Sequence, residues 1–162
     1  MQDRLVNGQS VRCFNVIDDA SREVLHIEVD YSLRSNRVVW VLNWLCKRRA
    51  TPQYIRMDNG PELVAELTQC WAEANGVNCN YIQPGKPTQN AFIERFNGSY
   101  RRGLLNAHEF ESLEQLRELS QAWQDDYNNH RPHDSLKRLP PRVFAARYLS
   151  GGTPRKVVSQ TT

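Results

Sequence analysis

The sequence predicts a layered α/β or α+β domain built on one sheet. Strand-like, β-branched runs crowd the first third, strand and helix signals alternate in the middle, and helical periodicity dominates the last third. A length of 162 residues suits one domain with its own hydrophobic core. Apolar residues make up 40% and charged residues 24%, which places the chain among globular rather than disordered sequences.

The elements follow in order. "VRCFNVIDD" and "REVLHIEVD" are apolar runs joined by the turn-forming "DDAS", and they predict an antiparallel hairpin. In "RSNRVVWVLNWLCKRR", Val38, Val41, Leu42 and Leu45 fall at helical spacing, with Ser35 or Asn36 as N-cap. "PQYIRMD" reads as a short strand. "PELVAELTQCWAEANG" reads as one helix, opened by Pro61 and stopped near Gly76. "VNCNYI" is a further short strand, and "QPGKPTQ" a loop. A helix is expected over 90–105, and another from Ser112 to about Asn129, where Ser112 and Gln115 match a capping box. "RPHDSLKRLPP" is a loop and "PRVFAARY" a short last helix. The core domain is expected to span 1–148, with 149–162 a disordered tail.

Several function classes fall away. No run approaches the ~18 apolar residues of a membrane span, and no signal-peptide pattern opens the chain, so a cytoplasmic protein without a membrane partner is expected. Cys13, Cys46, Cys70 and Cys79 form no CxxC pair, which argues against zinc or a disulfide framework and for reduced, mostly buried thiols. His130 and His133 have no nearby third ligand, and Pro132 interrupts their presentation. Residues 1–81 hold 9 basic and 10 acidic side chains, residues 82–162 hold 12 and 8. The second half is therefore the better polyanion face, although a solvated surface gives the same count.

Two acids stand out. Asp58 ends the strand "QYIRMD" and precedes Asn59-Gly60-Pro61, a strand-to-helix corner. A turn role and a functional role weigh equally there, because ligands of α/β sheets bind at the carboxyl ends of strands. Glu94 lies on the helix of 90–105, where Ile93, Phe96, Tyr100 and Leu104 make a core-facing stripe. A second line on that helix runs Glu94, Asn97, Gly98 and Arg101. Glycine in an exposed helix interior costs about 1 kcal/mol against alanine, so Gly98 fits a close approach by a nucleic-acid backbone. Between the two acids lie 35 residues.

With that spacing, "RMDNGPEL", "QPGKPTQNAFIERFNGSYR" and "WQDDYNNHRPHDSL" followed by "PPRVFA" occur in one order. Over about residues 1 to 148 the chain resembles the integrase catalytic core of bacterial insertion-sequence transposases, the OrfB-type product, which is similar to retroviral integrase. The resemblance implies an RNase H-like fold: a mixed sheet of five strands flanked by helices, with an Asp, Asp, Glu triad. Asp58 matches the second acid and Glu94 the third, both as catalytic residues and metal ligands. Mg²⁺ or Mn²⁺ in a two-metal site is implied for the intact enzyme, in keeping with the taste of hard cations for oxygen and the needs of phosphoryl transfer. The family's first Asp lies in a Trp-x-x-Asp-Phe pattern, and by the match it would fall a couple of residues before Met1. The sheet is thus expected to lack all or part of its first, central strand. Asp3, Asp18 and Asp19 are not assigned to catalysis; the last two suit a turn.

Phosphate contacts are expected from Lys86, Asn90, Arg95, Asn97, Arg101, Arg102, Arg131 and His133, with a packed loop the plainer reading for the last two. The implied function is DNA transposition: cleavage of element ends and transfer of a 3′-hydroxyl to target DNA, by a homo-oligomer on DNA, with no small-molecule substrate. Taken alone, this chain is expected to be inactive or impaired. Two rivals are an inactive fragment that binds DNA or pairs with an intact subunit, and an RNase H-like nuclease that hydrolyses without strand transfer.

Overall fold

A computed structural model describes residues 1–83, 90–149 and 156–161. Strands β1 (Gln2–Arg4), β2 (Ser10–Asp18) and β3 (Val24–Asp30) are followed by α1 (Ser35–Arg48) and β4 (Tyr54–Met57). Then come α2 (Pro61–Val64), α3 (Glu66–Ala74), β5 (Asn78–Tyr81), α4 (Ala91–Tyr100), α5 (Leu113–Asn129), α6 (Pro141–Tyr148) and β6 (Lys156–Thr161).

One sheet holds all six strands. β2 pairs antiparallel with β3 on one side and with β1 and β6 on the other. β6 also pairs parallel with β4, and β4 parallel with β5. Five strand positions result, and β1 and β6 share the central one. Gln2 faces Arg12 and Thr161 faces Phe14, while the Met1 amino group donates to the Cys13 carbonyl at 2.8 Å. The central strand is therefore assembled from two pieces running in one direction.

The expected hairpin is β2–β3. Its turn is built by Asp18, whose Oδ1 accepts from the backbone N–H groups of Ala20 (3.1 Å) and Ser21 (2.8 Å) and from the Ser21 hydroxyl (2.9 Å). The sheet has a core on each face, because alternate residues of a strand point to opposite sides. Val11, Cys13 and Ile17 of β2 pack under α4 and α5 with Ile93, Phe96, Tyr100 and Trp123. Phe14 and Val16 pack with Ile55 and Met57 of β4 under α1 and α3. The stripe Ile93, Phe96, Tyr100, Leu104 is buried throughout, as its periodicity predicts.

Four expectations need correction. The helix expected from Pro61 breaks at Ala65, whose backbone is extended (φ −60°, ψ 143°). The carbonyls released by the break are taken by side chains: Thr68 Oγ1 donates to Glu62 O at 2.9 Å and Gln69 Nε2 to Val64 O at 2.8 Å. α1 is preceded by Arg34 in the cap position rather than Ser35 or Asn36, and the Arg34 side chain makes no cap bond, while Asn36 Oδ1 accepts from the Arg37 N–H at 2.9 Å inside the first turn. The helix expected to 105 is α-helical to Tyr100 and continues as a wider π-type turn over Arg101–Leu105. The tail expected to be disordered contributes β6. Its Val-Val pair and final Thr favour extended backbone, and both neighbouring strands offer it hydrogen-bonding groups. All four cysteines are free thiols; Cys13 is buried, Cys46 and Cys79 half-buried, and Cys70 exposed. Among the described residues no helix is long and apolar enough to cross a membrane.

Candidate active site and phosphate-facing groups

Asp58 follows the last residue of β4, at the carboxyl end where an α/β sheet presents ligands. Its Oδ1 accepts from the Gly60 N–H at 3.2 Å, so the acid also closes the corner into α2. Asn59 Nδ2 donates to Ile82 O at 3.0 Å and ties that corner to the chain leaving β5. Met57 stands opposite Ser159, which stands opposite Val16. One residue further along, Asp58 is level with Gln160 and Asn15. Two strand spacings, about 10 Å, separate the Asp58 and Asn15 backbones. Ile55 and Met57 face the α1 side, so alternation gives Asp58 to the α4 side. The Met1 amino group lies within the field of Asp58: burial pulls it down to about 6, and Asp58 is among the charges that pull it back up.

Asn15 links this end of the sheet to α4. It is fully buried within the otherwise apolar run 13–17, and its Nδ2 donates to Asn97 Oδ1 at 2.8 Å. Glu94 is exposed one helical turn before Asn97, on the helix that this bond docks against the sheet. Nearby Glu62 is buried but bonded to Arg12 Nη2 at 2.9 Å, which leaves its charge already matched.

The expected phosphate contacts separate on inspection. Arg95 and Arg102 are exposed. Asn90 is 3% exposed, so it is a packing residue rather than a surface group. Asn97 is engaged by Asn15. Arg101 Nη2 donates to Gln2 O at 2.7 Å and lies 3.8 Å from Asp3, bracing β1. Arg131 bonds Asp126 at 2.6 Å and covers the Trp123 ring at 4.7 Å. His133 packs on Tyr127, ring centroids 4.8 Å apart. Lys86 lies outside the described residues. A would-be Cβ on Gly98 meets only the Arg102 guanidinium, at 3.2 Å, so a local side chain already covers this bare position.

A polar cavity of about 230 Å³ joins two of these groups, Arg95 and His133, to a third that the sequence reading passed over. Arg22, in the β2–β3 turn with φ 61°, lays its guanidinium on the Phe92 ring at 3.2 Å and pairs with Asp19 at 3.0 Å. The only sequence signal for it was a basic residue next to an Asp-Asp turn.

Asp58 and Glu94 are hard oxygen donors of the type that Mg²⁺ and Mn²⁺ select. The donor type fits such an ion and the donor number falls short: among the described residues, no three His, Cys, Asp or Glu side chains converge.

Two models of the integrase core domain family match, one over residues 2–87 and the other over 75–141. This chain is an integrase core. An insertion element IS407 protein of Burkholderia multivorans is 43% identical over 148 residues, 91% of this chain and 53% of the relative. An insertion element IS476 protein of Xanthomonas euvesicatoria is 42% identical over 146 residues, covering 90% and 42%. The integrase core thus spans about half the length of these relatives. Its fold is that of retroviral integrase cores. The HTLV-2 integrase catalytic core domain, solved in complex with magnesium in a trimeric form, superposes with a TM-score of 0.66 at 14% identity, covering 89% of this chain and 90% of that one. A chain of the simian T-cell lymphotropic virus intasome, solved in complex with PP2A regulatory subunit B56 gamma, gives 0.70 at 17% identity, covering 95% of this chain and 54% of that one. The five strand positions and flanking helices expected from the resemblance are those observed.

Proposed function

We propose that this integrase core serves DNA transposition by an insertion element, as the part of the enzyme that holds the scissile phosphodiester. Asp58 and Glu94 act as two carboxylates of its metal site, and Arg22, Arg95, Arg102 and His133 face the DNA backbone. The Asn15–Asn97 bond carries this reading, because it fixes the helix bearing Glu94 over the sheet end bearing Asp58. Divalent ions, when bound by such acids, activate the attacking oxygen and steady the leaving one. The chain's own residues position phosphate and acids, which is most of what phosphoryl transfer asks of a protein. DNA ends and target are the substrates, a homo-oligomer on DNA is the working form, and 1–148 is the functional unit.

With two acids assigned to this site, the chain alone is expected to bind DNA better than it cuts it. A strand-transfer assay with Mn²⁺ on labelled element ends separates the readings. Joined products mean an active transposase core, cleavage without joining means a nuclease, and retention without either means a binding or pairing subunit. Where any product forms, Glu94→Gln is expected to abolish it; unchanged product from that variant overturns the assignment of Glu94.

A further inference from the structure

The cavity of about 230 Å³ beside α4 is walled by two loops with an uncommon backbone. Among the described residues, the non-glycine positions with left-handed φ are Arg22 (61°), Lys137 (55°) and Arg138 (59°). Arg22 sits in the β2–β3 turn; Lys137 and Arg138 belong to the loop that brings 132–135 to the cavity wall. Such residues are rare and gather at ligand sites, where the surrounding structure holds them. Here the second loop is held by its own bonds: the His133 N–H donates to Leu139 O at 3.3 Å, and the Arg138 N–H to His133 O at 2.9 Å. The wall is thus formed before any ligand arrives.

The lining mixes flat surfaces with hydrogen-bonding edges. Tyr127 is 6% exposed and is fixed by Phe96, Trp123 and His133, with ring centroids 5.4, 5.1 and 4.8 Å away. Phe92, by contrast, is 40% exposed, and the Arg22 guanidinium lies on its ring. Rings and guanidinium planes are the surfaces on which unstacked bases settle. Arg22 Nε and His133 Nε2 belong to lining residues and are buried with no hydrogen-bond partner among the described residues. Buried polar atoms are seldom left so, which points to an occupant with polar edges. Asp134 and Ser135, both exposed, add a carboxylate and a hydroxyl at the rim. A phosphate alone would leave the rings uncovered, and Asp134 would repel it. Drug-sized ligands need about 300–1,000 Å³, so this space suits one flat heterocycle rather than a coenzyme.

We infer that this cavity is a nucleobase pocket, which takes one base turned out of the DNA stack. The inference rests on the DNA reading above: Arg22 and Arg95 hold the phosphate of the nucleotide whose base enters the cavity. Arg95 follows Glu94 on α4, so the unstacked nucleotide lies beside the acids assigned to the metal site. Its base stacks against Phe92 and Tyr127, and its ring nitrogens and exocyclic groups meet His133, Asp134 and Ser135. Turning a base out costs least where its pairing is already lost. The pocket therefore favours a frayed or distorted site over intact duplex, and it does so without reading an extended sequence.

Fluorescence anisotropy on the full chain tests the pocket with three short duplexes. One is fully paired, one carries a single unpaired adenine, and one carries an abasic residue at that unpaired position. The adenine bulge is expected to bind about tenfold more tightly than the abasic bulge, the worth of one base–aromatic stack. Phe92→Ala removes a stacking ring, and Ser135→Trp fills the cavity from its exposed rim. Each is expected to bring the two bulges within about twofold of one another. Equal affinities for the two bulges in the unmodified chain overturn the pocket and leave the backbone contacts standing. A preference for adenine that survives both variants overturns it as well, because the base is then held elsewhere. Failure to bind any of the three duplexes overturns the DNA reading, and the pocket with it.

Discussion

Asn15 Nδ2 donates to Asn97 Oδ1 across 2.8 Å, a side-chain bond that joins β2 to α4. Asn15 is wholly buried, and its other amide atom, Oδ1, has no hydrogen-bond partner among the described residues. Asn97→Ala removes the acceptor and leaves the buried donor only its weak Met1 Sδ contact at 3.5 Å, a loss of about 1–3 kcal/mol. Asn97→Asp keeps an acceptor and should retain more of the stability. Thermal unfolding of the two variants decides it, at roughly 2–4 °C per kcal/mol for a domain of this size. Equal melting temperatures for both would remove the bond from its supporting role.

Two glycines in the same stretch separate packing from function. A Cβ on Gly103 would lie 2.8 Å from Nε1 of Trp123, a ring held between Phe96, Tyr100 and Tyr127. Gly103→Ala must therefore move a packed indole, at about 1–3 kcal/mol. At Gly98 the neighbour is the far end of Arg102, which can swing away. Gly98→Ala is expected to be neutral or to stabilise by up to about 1 kcal/mol. If DNA passes over Gly98, that variant loses DNA affinity while keeping its melting temperature, which filter binding beside calorimetry would reveal.

Much of this was legible in the sequence, for stated physical reasons. The stripe Ile93, Phe96, Tyr100 was readable because burial selects by period, and Ser112 because a cap needs a particular oxygen, which does accept from Gln115 N at 3.1 Å. Asp58 was readable as a corner acid from strand, turn and Pro61 alone. β6 was not, because its conformation comes from the strand edges on either side rather than from any period of its own. Ala65 defeated propensity, since alanine favours helix and the break is rewarded by local side-chain bonds from Thr68 and Gln69 back to the carbonyls of the preceding turn. Asn15 left a signal that was overlooked: one amide inside the apolar run "CFNVI" needs a partner from another element.

Glu23 offers a test of how the turn is tied to the helices. Its buried carboxylate receives Arg49 in a fork, Nη1 at 2.9 Å and Nη2 at 2.7 Å, and Arg142 Nε at 3.2 Å. Burial alone would raise this carboxyl, but the hydrogen bonds and charges of Arg49 and then Arg142 outweigh it and hold it below the usual carboxylate range. Arg49→Ala should cost about 1–3 kcal/mol, below the range for a fully buried pair because Arg142 remains and Arg49 is partly solvated. A depressed carboxyl stabilises above its unfolded value and loses that contribution as pH falls through its folded value. Urea unfolding should therefore show a deficit for Arg49→Ala at pH 7 that shrinks in acid below about pH 4. A deficit independent of pH would assign the effect to packing.

His133 links the candidate phosphate cavity to pH. Burial first, then the positive charges of Arg131 and Arg22, hold its imidazole below the usual histidine value, with Asp134 opposing. Its Nε2 is buried without a hydrogen-bond partner among the described residues. A base with a lowered folded pKa is neutral in the native protein, while the unfolded chain takes up its proton first. Its stabilising share is thus whole above about pH 6.5 and is lost as pH falls from there through the folded value. A phosphate seated beside Arg22 and Arg95 would offset their charge and favour the imidazolium. The ring proton of His133, followed by NMR, should therefore titrate below pH 6.5 in the free protein and move upward when a short duplex is added. Arg95→Ala should weaken duplex binding and reduce that upward movement. A midpoint that does not move with saturating duplex would place the DNA backbone elsewhere on the α4 face.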